Sequence, residues 1–355
     1  MSSDLNSPVP IRAGEELPLE RLSDYLHQQL PDASGTLTVD QFPHGHSNLT
    51  YLLRLGTREL VLRRPPFGNR VASAHDMGRE FRMLSRLHHV FSAAPRPELY
   101  CEDESIIGCP FYLMERRHGL ILRKTLPAGV TIDADLAGRM SCALIDNLAS
   151  LHAIDYQAAG LSDMGKPEGY VQRQVVGWIK RYGQAQTSTV PTIDGVAKWL
   201  SENLPPEMGA TVIHNDFKYD NVMFDAADLT KIVAVLDWEM ATIGDPLMDL
   251  GTSLGYWVEA TDPVPLQQTA FGPTALPGSL TRAELVDRYQ ERTGVNVPDV
   301  IFYYCFGLFK LAVIVQQIYA RFARGHTTDP RFAHLDQLVF LLGKQADQTL
   351  HSGKI

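Results

Sequence analysis

The run Ile213-His214-Asn215-Asp216-Phe217-Lys218-Tyr219-Asp220-Asn221, followed sixteen residues later by Asp237, constrains this chain more than any other feature. Asp237 ends the apolar run Ile232 to Leu236. That run reads as extended, as do Val212-Ile213 and Val222-Met223-Phe224. The pattern offers a loop carboxylate, a loop amide and a strand-end carboxylate. Phosphoryl transfer needs such a set: a carboxylate that orients the attacking hydroxyl, and oxygen ligands for Mg²⁺. Asp216, Asn221 and Asp237 supply it, and Lys218 adds a cation able to offset charge on a transferred phosphoryl group. The plain alternative is a polar turn between strands, where Asp and Asn are common. The two matched spacings favour the chemical reading.

Ahead of this loop the chain is rich in strands. A helix over Leu17 to Leu30 stops at Pro31, then Leu37 to Phe42 and Thr50 to Leu55 flank a turn at His44-Gly45-His46-Ser47. Gly56-Thr57 leads into Glu59 to Arg63, and Glu98 to Cys101 with Pro110 to Met114 complete an antiparallel sheet of about five strands. Between them, a helix over Ala74 to His89 carries Met77, Phe81, Leu84 and Leu87 on one stripe, with Glu80 among them. A carboxylate in that position is desolvated unless a cation meets it, and Arg63 is the candidate. An ordinary salt bridge within the lobe is the plain alternative.

After Glu115 the pattern turns helical, over Asp135 to Ala153, Tyr170 to Tyr182, Ile193 to Asn203, Thr281 to Thr293 and Val300 to Arg321. Thr281 with Glu284 makes a capping box. Glu259 to Ser279 is rich in Pro and Gly and reads as a long loop or lid. The expected class is α+β and bilobal. A small lobe over 1–116 holds a leading helix, the five-stranded sheet and one further helix; a larger, mainly helical lobe covers 117–355. They join near Met114 to Gly119.

The loop resembles the H-x-D-x-x-x-x-N catalytic loop and following metal-binding Asp of the protein-kinase-like superfamily. It is more similar to the aminoglycoside phosphotransferase and choline kinase group, whose D-W-E…G-D-P-x-x-D-L matches Asp237-Trp238-Glu239…Gly244-Asp245-Pro246-Leu247-Met248-Asp249-Leu250. The likeness runs from about Gly45 to Arg324. Within the group, HNDFKYDN and VLRRPP most resemble the phosphotransferase domain fused to some acyl-CoA dehydrogenases. The resemblance implies ATP and Mg²⁺, with Asp216 as catalytic base and Asn221 and Asp237 as metal ligands. Gly45, His46, Ser47 and Asn48 become the phosphate-covering turn, Arg63 the phosphate-contacting cation and Glu80 its partner. Met114 and Glu115 become the hinge that meets adenine through backbone groups.

Three departures matter. Gly45 stands alone where protein kinases have G-x-G-x-x-G, Arg63 replaces the usual Lys, and Trp238-Glu239 replaces Phe-Gly with no A-P-E segment after it. The last of these favours a small-molecule acceptor over a protein. The expected reaction is transfer of the γ-phosphate of ATP to a hydroxyl of a hydroxylated metabolite, a hydroxyacyl-CoA or an aminoglycoside. The alternative is a nucleotide-binding pseudokinase acting as regulator or scaffold. A cationic aminoglycoside requires an acidic pocket; an anionic CoA ester requires a basic one.

Composition sets the boundaries. With 32 basic and 41 acidic residues the net charge is −9, which argues against nucleic acid as a partner. The apolar run Ile301 to Ala320 contains Lys310, so a buried core helix is expected there and no membrane span. The first residues show no signal-peptide pattern, and four cysteines without CxxC spacing suit reduced thiols in a cytoplasmic protein. His44, His46, His88 and His89 lack the Cys or second spaced pair that zinc requires. His214 reads as a buttress of the loop, and Asp245 and Asp249 as a helix cap or loop brace. Trp238 and Phe302-Tyr303-Tyr304 read as core, and Lys124, Arg321 and Arg324 as solvated charge. The oligomeric state is left open.

Overall fold

Period-two alternation along the hairpin strands sorts the first lobe into two packed faces. In the computed structural model, which describes residues 7–32, 34–43, 48–67 and 76–355, this region runs α1 (Leu19–Gln29), β1 (Leu37–Gln41), β2 (Leu49–Leu55), β3 (Arg58–Arg64), α2 (Met77–Leu87), β4 (Pro97–Cys101), α3 (Glu104–Ile107) and β5 (Phe111–Glu115). The five strands form one antiparallel sheet in the order β1-β2-β3-β5-β4, as expected. Leu60 and Leu62 of β3 and Phe111 and Leu113 of β5 pack with Leu22 and Leu26 of α1. The alternate residues Val61, Tyr112 and Met114 face the other way, joining Met83 and Leu84 of α2 in a core continuous with the helical lobe. Arg63 shares the phase of Val61 and pairs in register with Tyr112, so it projects toward α2.

Helix α2 starts at Met77, capped by Asp76, whose side chain accepts the Arg79 N–H. The expected start at Ala74 lies outside the described residues. Its end at Leu87 is earlier than expected, and His88-His89 form a turn.

The second lobe contains β6 (Leu120–Ile121), α4 (Ala134–His152), α5 (Tyr170–Ala185), α6 (Pro191–Glu202), β7 (Thr211–Ile213), β8 (Val222–Phe224), β9 (Ile232–Val235), β10 (Thr242–Gly244), α7 (Pro246–Gly255), α8 (Val264–Gln267), α9 (Arg282–Thr293), α10 (Val300–Ala323) and α11 (Leu335–Ser352). Strands β6, β8 and β9 make one small sheet, and β7 pairs with β10. Together they fix both ends of the Asp216 loop and both sides of Asp237. Helix α10 is long and apolar enough to cross a membrane, but it is mostly buried inside the protein. It crosses α7 through a glycine notch: a Cβ on Gly307 would collide with the Gly251 carbonyl oxygen, and one on Gly251 with that of Tyr303.

Several elements go beyond the expectations, among them α3, α7, α8 and α11. The segment read as a lid is tied down. Arg282 binds Glu259 and Asp262 and donates to the Trp257 carbonyl, and Gly272 packs so tightly on the Tyr219 ring that no Cβ fits. The capping box of Thr281 and Glu284 is present.

Candidate active site

Asp216 lies in the loop between β7 and β8 with its carboxylate held by its own segment. Lys218 Nζ reaches both oxygens at 2.9 and 2.7 Å, and the Asn221 side-chain amide donates to Oδ2 at 2.7 Å and to the Asp216 carbonyl at 2.9 Å. This spends the Asn221 nitrogen and leaves its oxygen as the atom able to meet a cation. The Lys218 ammonium also lies over the Tyr256 ring, 4.5 Å from its centre. Burial and the neighbouring Asp216 push the Tyr256 hydroxyl well above its usual pKa, so it stays a neutral donor.

The loop rests on buried supports. His214 is fully buried; its Nε2 lies 2.9 Å from the Leu236 carbonyl and its Nδ1 accepts the Asp216 N–H at 3.2 Å. Burial lowers its pKa, which suits a neutral ring donating through Nε2. Asp249 of α7 accepts the N–H groups of His214 and Asn215, both at 2.7 Å, and contacts His152. Asp245 caps α7 through the Leu247 N–H and also accepts that of Met208. Both aspartates therefore brace the structure, and Trp238 is core, its indole donating to the Val235 carbonyl.

Asp237 follows β9, and the Leu236 N–H donates to the Asn221 carbonyl at 2.8 Å, which draws the two oxygen-bearing residues together. Asp237 is left-handed, with φ 68°, as is Asn215 with φ 67°. Asp and Asn are the side chains that tolerate this region best, and such backbones cluster at functional sites. The Asp237 carboxylate meets Arg63 at 2.8 Å; Arg63 also meets Glu80 at 3.0 Å and stands 3.7 Å from Glu239. Burial opposes ionisation of Asp237, but Arg63 outweighs it and holds the carboxyl below its usual value. Burial raises Glu80, against the pull of Arg63. Burial likewise opposes the Arg63 charge, yet Glu80 and Asp237 keep the guanidinium protonated.

Among the described residues, the Arg63 guanidinium thus faces three carboxylates, a carboxylate-rich surrounding that suits a divalent cation. The hard oxygen set of Asp237 and Asn221 suits Mg²⁺.

Asn48 is buried and donates to Glu239 at 2.7 Å, linking the start of β2 to the residues after Asp237. Gly45, His46 and Ser47 lie outside the described residues. Met114 and Glu115 end β5 where a hinge is expected, but the Glu115 N–H is taken by the Arg96 carbonyl at 2.9 Å. That group is not free to meet adenine. Lys124, Arg321 and Arg324 are exposed; Lys124 and Arg324 are tied to the backbone carbonyls of Gln268 and of Gln184 and Gln186.

Sequence reasoning missed a cavity of about 350 Å³ behind the loop, lined by Asn215, Glu239 and Met240. Among the described residues, its other walls carry Arg79, Lys166, Arg173, Arg181 and Lys310, with Asp76 and Glu239 as the acids. In a chain of charge −9 this is a concentrated basic surface. Its cations come from separate elements, which no local motif could reveal.

Residues 38–285 match the sequence profile of the phosphotransferase enzyme family. The chain belongs to that family. Curated relatives of this phosphotransferase-family chain include rat (Rattus norvegicus) acyl-CoA dehydrogenase family member 11, 36% identical over 90% of the chain and 42% of the relative. Mouse (Mus musculus) family member 10 is 35% identical over 90% of the chain and 30% of the relative. The chain thus spans less than half the length of these relatives. Among solved structures, a candidate aminoglycoside phosphotransferase from Ralstonia eutropha superposes with a TM-score of 0.79 at 29% identity, covering 95% of this chain and 99% of that one. Choline kinase from Cryptosporidium parvum shares the fold, with TM-score 0.64, 13% identity and coverage of 94% and 97%. So does a spectinomycin phosphotransferase solved with ADP and spectinomycin, with TM-score 0.57, 12% identity and coverage of 93% and 98%.

Proposed function

We propose that this chain is an ATP- and Mg²⁺-dependent kinase that transfers the γ-phosphate to a hydroxyl of a small molecule. The observation that carries the reading is the meeting of Asp216, Asn221 and Asp237 on two adjacent backbone segments with Arg63 above them. The ADP held by the spectinomycin phosphotransferase supports nucleotide use on this fold. Asn221 and Asp237 would hold the metal, which when bound would neutralise charge on the phosphates. Asp216 accepts the hydrogen bond of the acceptor hydroxyl and aims its oxygen, the positioning that dominates catalysis of phosphoryl transfer. Lys218 keeps that carboxylate charged and lies close enough to stabilise negative charge on the transferred group. Arg63 contributes a second fixed cation, oriented by Glu80.

The acceptor we propose is anionic. Among the described residues, the cavity behind Asn215, the residue preceding Asp216, carries five cations and two carboxylates, which disfavours a polycationic aminoglycoside and suits a phosphate- or carboxylate-bearing alcohol. A hydroxyacyl-CoA or another hydroxylated metabolite fits that description, and the acyl-CoA dehydrogenase names of the relatives point the same way. The second reading, a nucleotide-binding regulator without transfer, rests on one observation: Arg63 occupies the Asp237 carboxylate at 2.8 Å. ADP release across a panel of hydroxyacyl-CoA esters, hydroxy acids and aminoglycosides, with Asp216→Asn as control, tests both. Bound ATP with no transfer to any acceptor would overturn the enzyme reading.

A further inference from the structure

Within the buried stretch of α10 from Phe302 to Val313, the single charged side chain is Lys310, 2% exposed. A charge so deep has to meet a polar partner. Its Nζ lies 2.6 Å from the Asn215 carbonyl and 3.5 Å from Asn215 Oδ1. Asn215 has the left-handed φ of 67°, a conformation that persists only where its surroundings over-determine it. Here every polar group of the residue is held. Its N–H goes to Asp249 Oδ1 at 2.7 Å, and its side-chain nitrogen to the Tyr170 hydroxyl and the Met240 carbonyl, both at 3.1 Å. Its carbonyl goes to Lys310.

That carbonyl belongs to the peptide leading into Asp216, so a rotation of this peptide turns the Asp216 carboxylate. We propose that Lys310 is a positioning residue, whose hold on the Asn215 carbonyl aims Asp216 at the acceptor hydroxyl. The proposal rests on the reading of Asp216 as the orienting carboxylate. Misplacing a reacting group by about 1 Å can cost about 100-fold in rate, so a distant clamp is enough to matter.

The charged surroundings give a second handle. Asp216 in the loop and Asp249 on α7 favour the ammonium, while burial, Lys218 in the loop and Arg181 on α5 oppose it; burial dominates and lowers its pKa to about 8. Across the cavity stand Arg79 and Asp76 at the start of α2, Lys166, Arg173 of α5, and Glu239. The rate should therefore fall as pH rises through about 8, as the clamp loses its charge.

The test uses the full chain with Mg²⁺-ATP and water as the acceptor, comparing parent, Lys310→Met and Lys310→Arg. Lys310→Met should lower kcat about 30-fold, leave KM for ATP within twofold, and remove the alkaline fall near pH 8. Lys310→Arg, which has the cavity to extend into, should recover most of kcat. A Lys310→Met protein with kcat within twofold of parent overturns the proposal. So does one whose kcat and KM worsen together with a lower Tm and no recovery in Lys310→Arg. A crystal structure of Lys310→Met supplies a readout independent of turnover: Asn215 keeping its left-handed φ, with the Asn221–Asp216 contact intact, overturns the proposal. Undiminished hydrolysis by Asp216→Asn would instead sink the reading of Asp216, and the crystal structure still decides the clamp.

Discussion

The two sides of the Asp216 loop carry opposite charge. Toward β3, one guanidinium faces Glu80, Asp237 and Glu239. Toward α5 and α10, five cations among the described residues face Asp76 and Glu239. Glu239 stands at the seam between them, bonded to Asn48 on one side and lining the cavity on the other. The chain's net charge of −9 is silent about this division. Each side is suited to a ligand of the opposite sign, a metal ion on the first and an anionic group on the second. On the proposed reading, a metal-bound nucleotide and an anionic alcohol would each meet the field that suits it.

The comparison can be broken at the seam. Asp216→Asn should lower kcat for transfer about 10³-fold while ATP affinity, measured by titration calorimetry, stays within threefold. Equal activity in that variant removes the reason to treat the two sides as parts of one machine. On the negative side, Arg63→Met strands the buried Glu80, and breaking a buried pair of this kind costs about 3–5 kcal/mol, readable by urea unfolding. A loss under 1 kcal/mol would mean that Glu80 takes up a proton.

On the positive side, the folded Lys310 ammonium has a pKa of about 8 against its usual 10.5. Between these values the unfolded chain binds a proton the folded chain has lost, so folding stability rises with pH. The parent should gain up to about 3 kcal/mol relative to Lys310→Met as pH climbs from below 8 toward 10.5. Identical gaps in urea unfolding at pH 7.5 and 9.5 would contradict the low value.

Smaller effects sharpen the division. Arg181→Glu should raise KM for an anionic acceptor about tenfold, roughly 1.4 kcal/mol, with KM for ATP unmoved. Arg324→Glu, an exposed charge reversal outside the cavity, should change either KM less than twofold. Parallel changes in both variants would point to long-range charge and away from a defined anion site.

The negative side was largely legible in the sequence. Loop spacing gave Asp216, Asn221 and Asp237, and Glu80 announced its ion pair by interrupting an apolar stripe. The positive side was not, because its cations are spread over α2, the segment before α5, α5 itself and α10. Lys310 is visible as a charge inside an apolar run, but its partner Asn215 lies 95 residues away in the chain, so no local pattern pairs them. The left-handed backbones of Asn215 and Asp237 had no signature beyond their residue types. Helix α11 escaped because its buried positions include Gly343, Ala346 and Thr349, which give little apolar contrast. The stretch 259–279 is a long loop broken only by α8, and its anchor, Arg282, lies just outside it in sequence.

The glycine notch between α7 and α10 sets how near the two helices come, and Lys310 lies one turn beyond Gly307. Any side chain at Gly307 wedges the helices apart and withdraws the ammonium from the loop. In a mutational scan scored on activity, this glycine should therefore resemble a residue of the reaction centre.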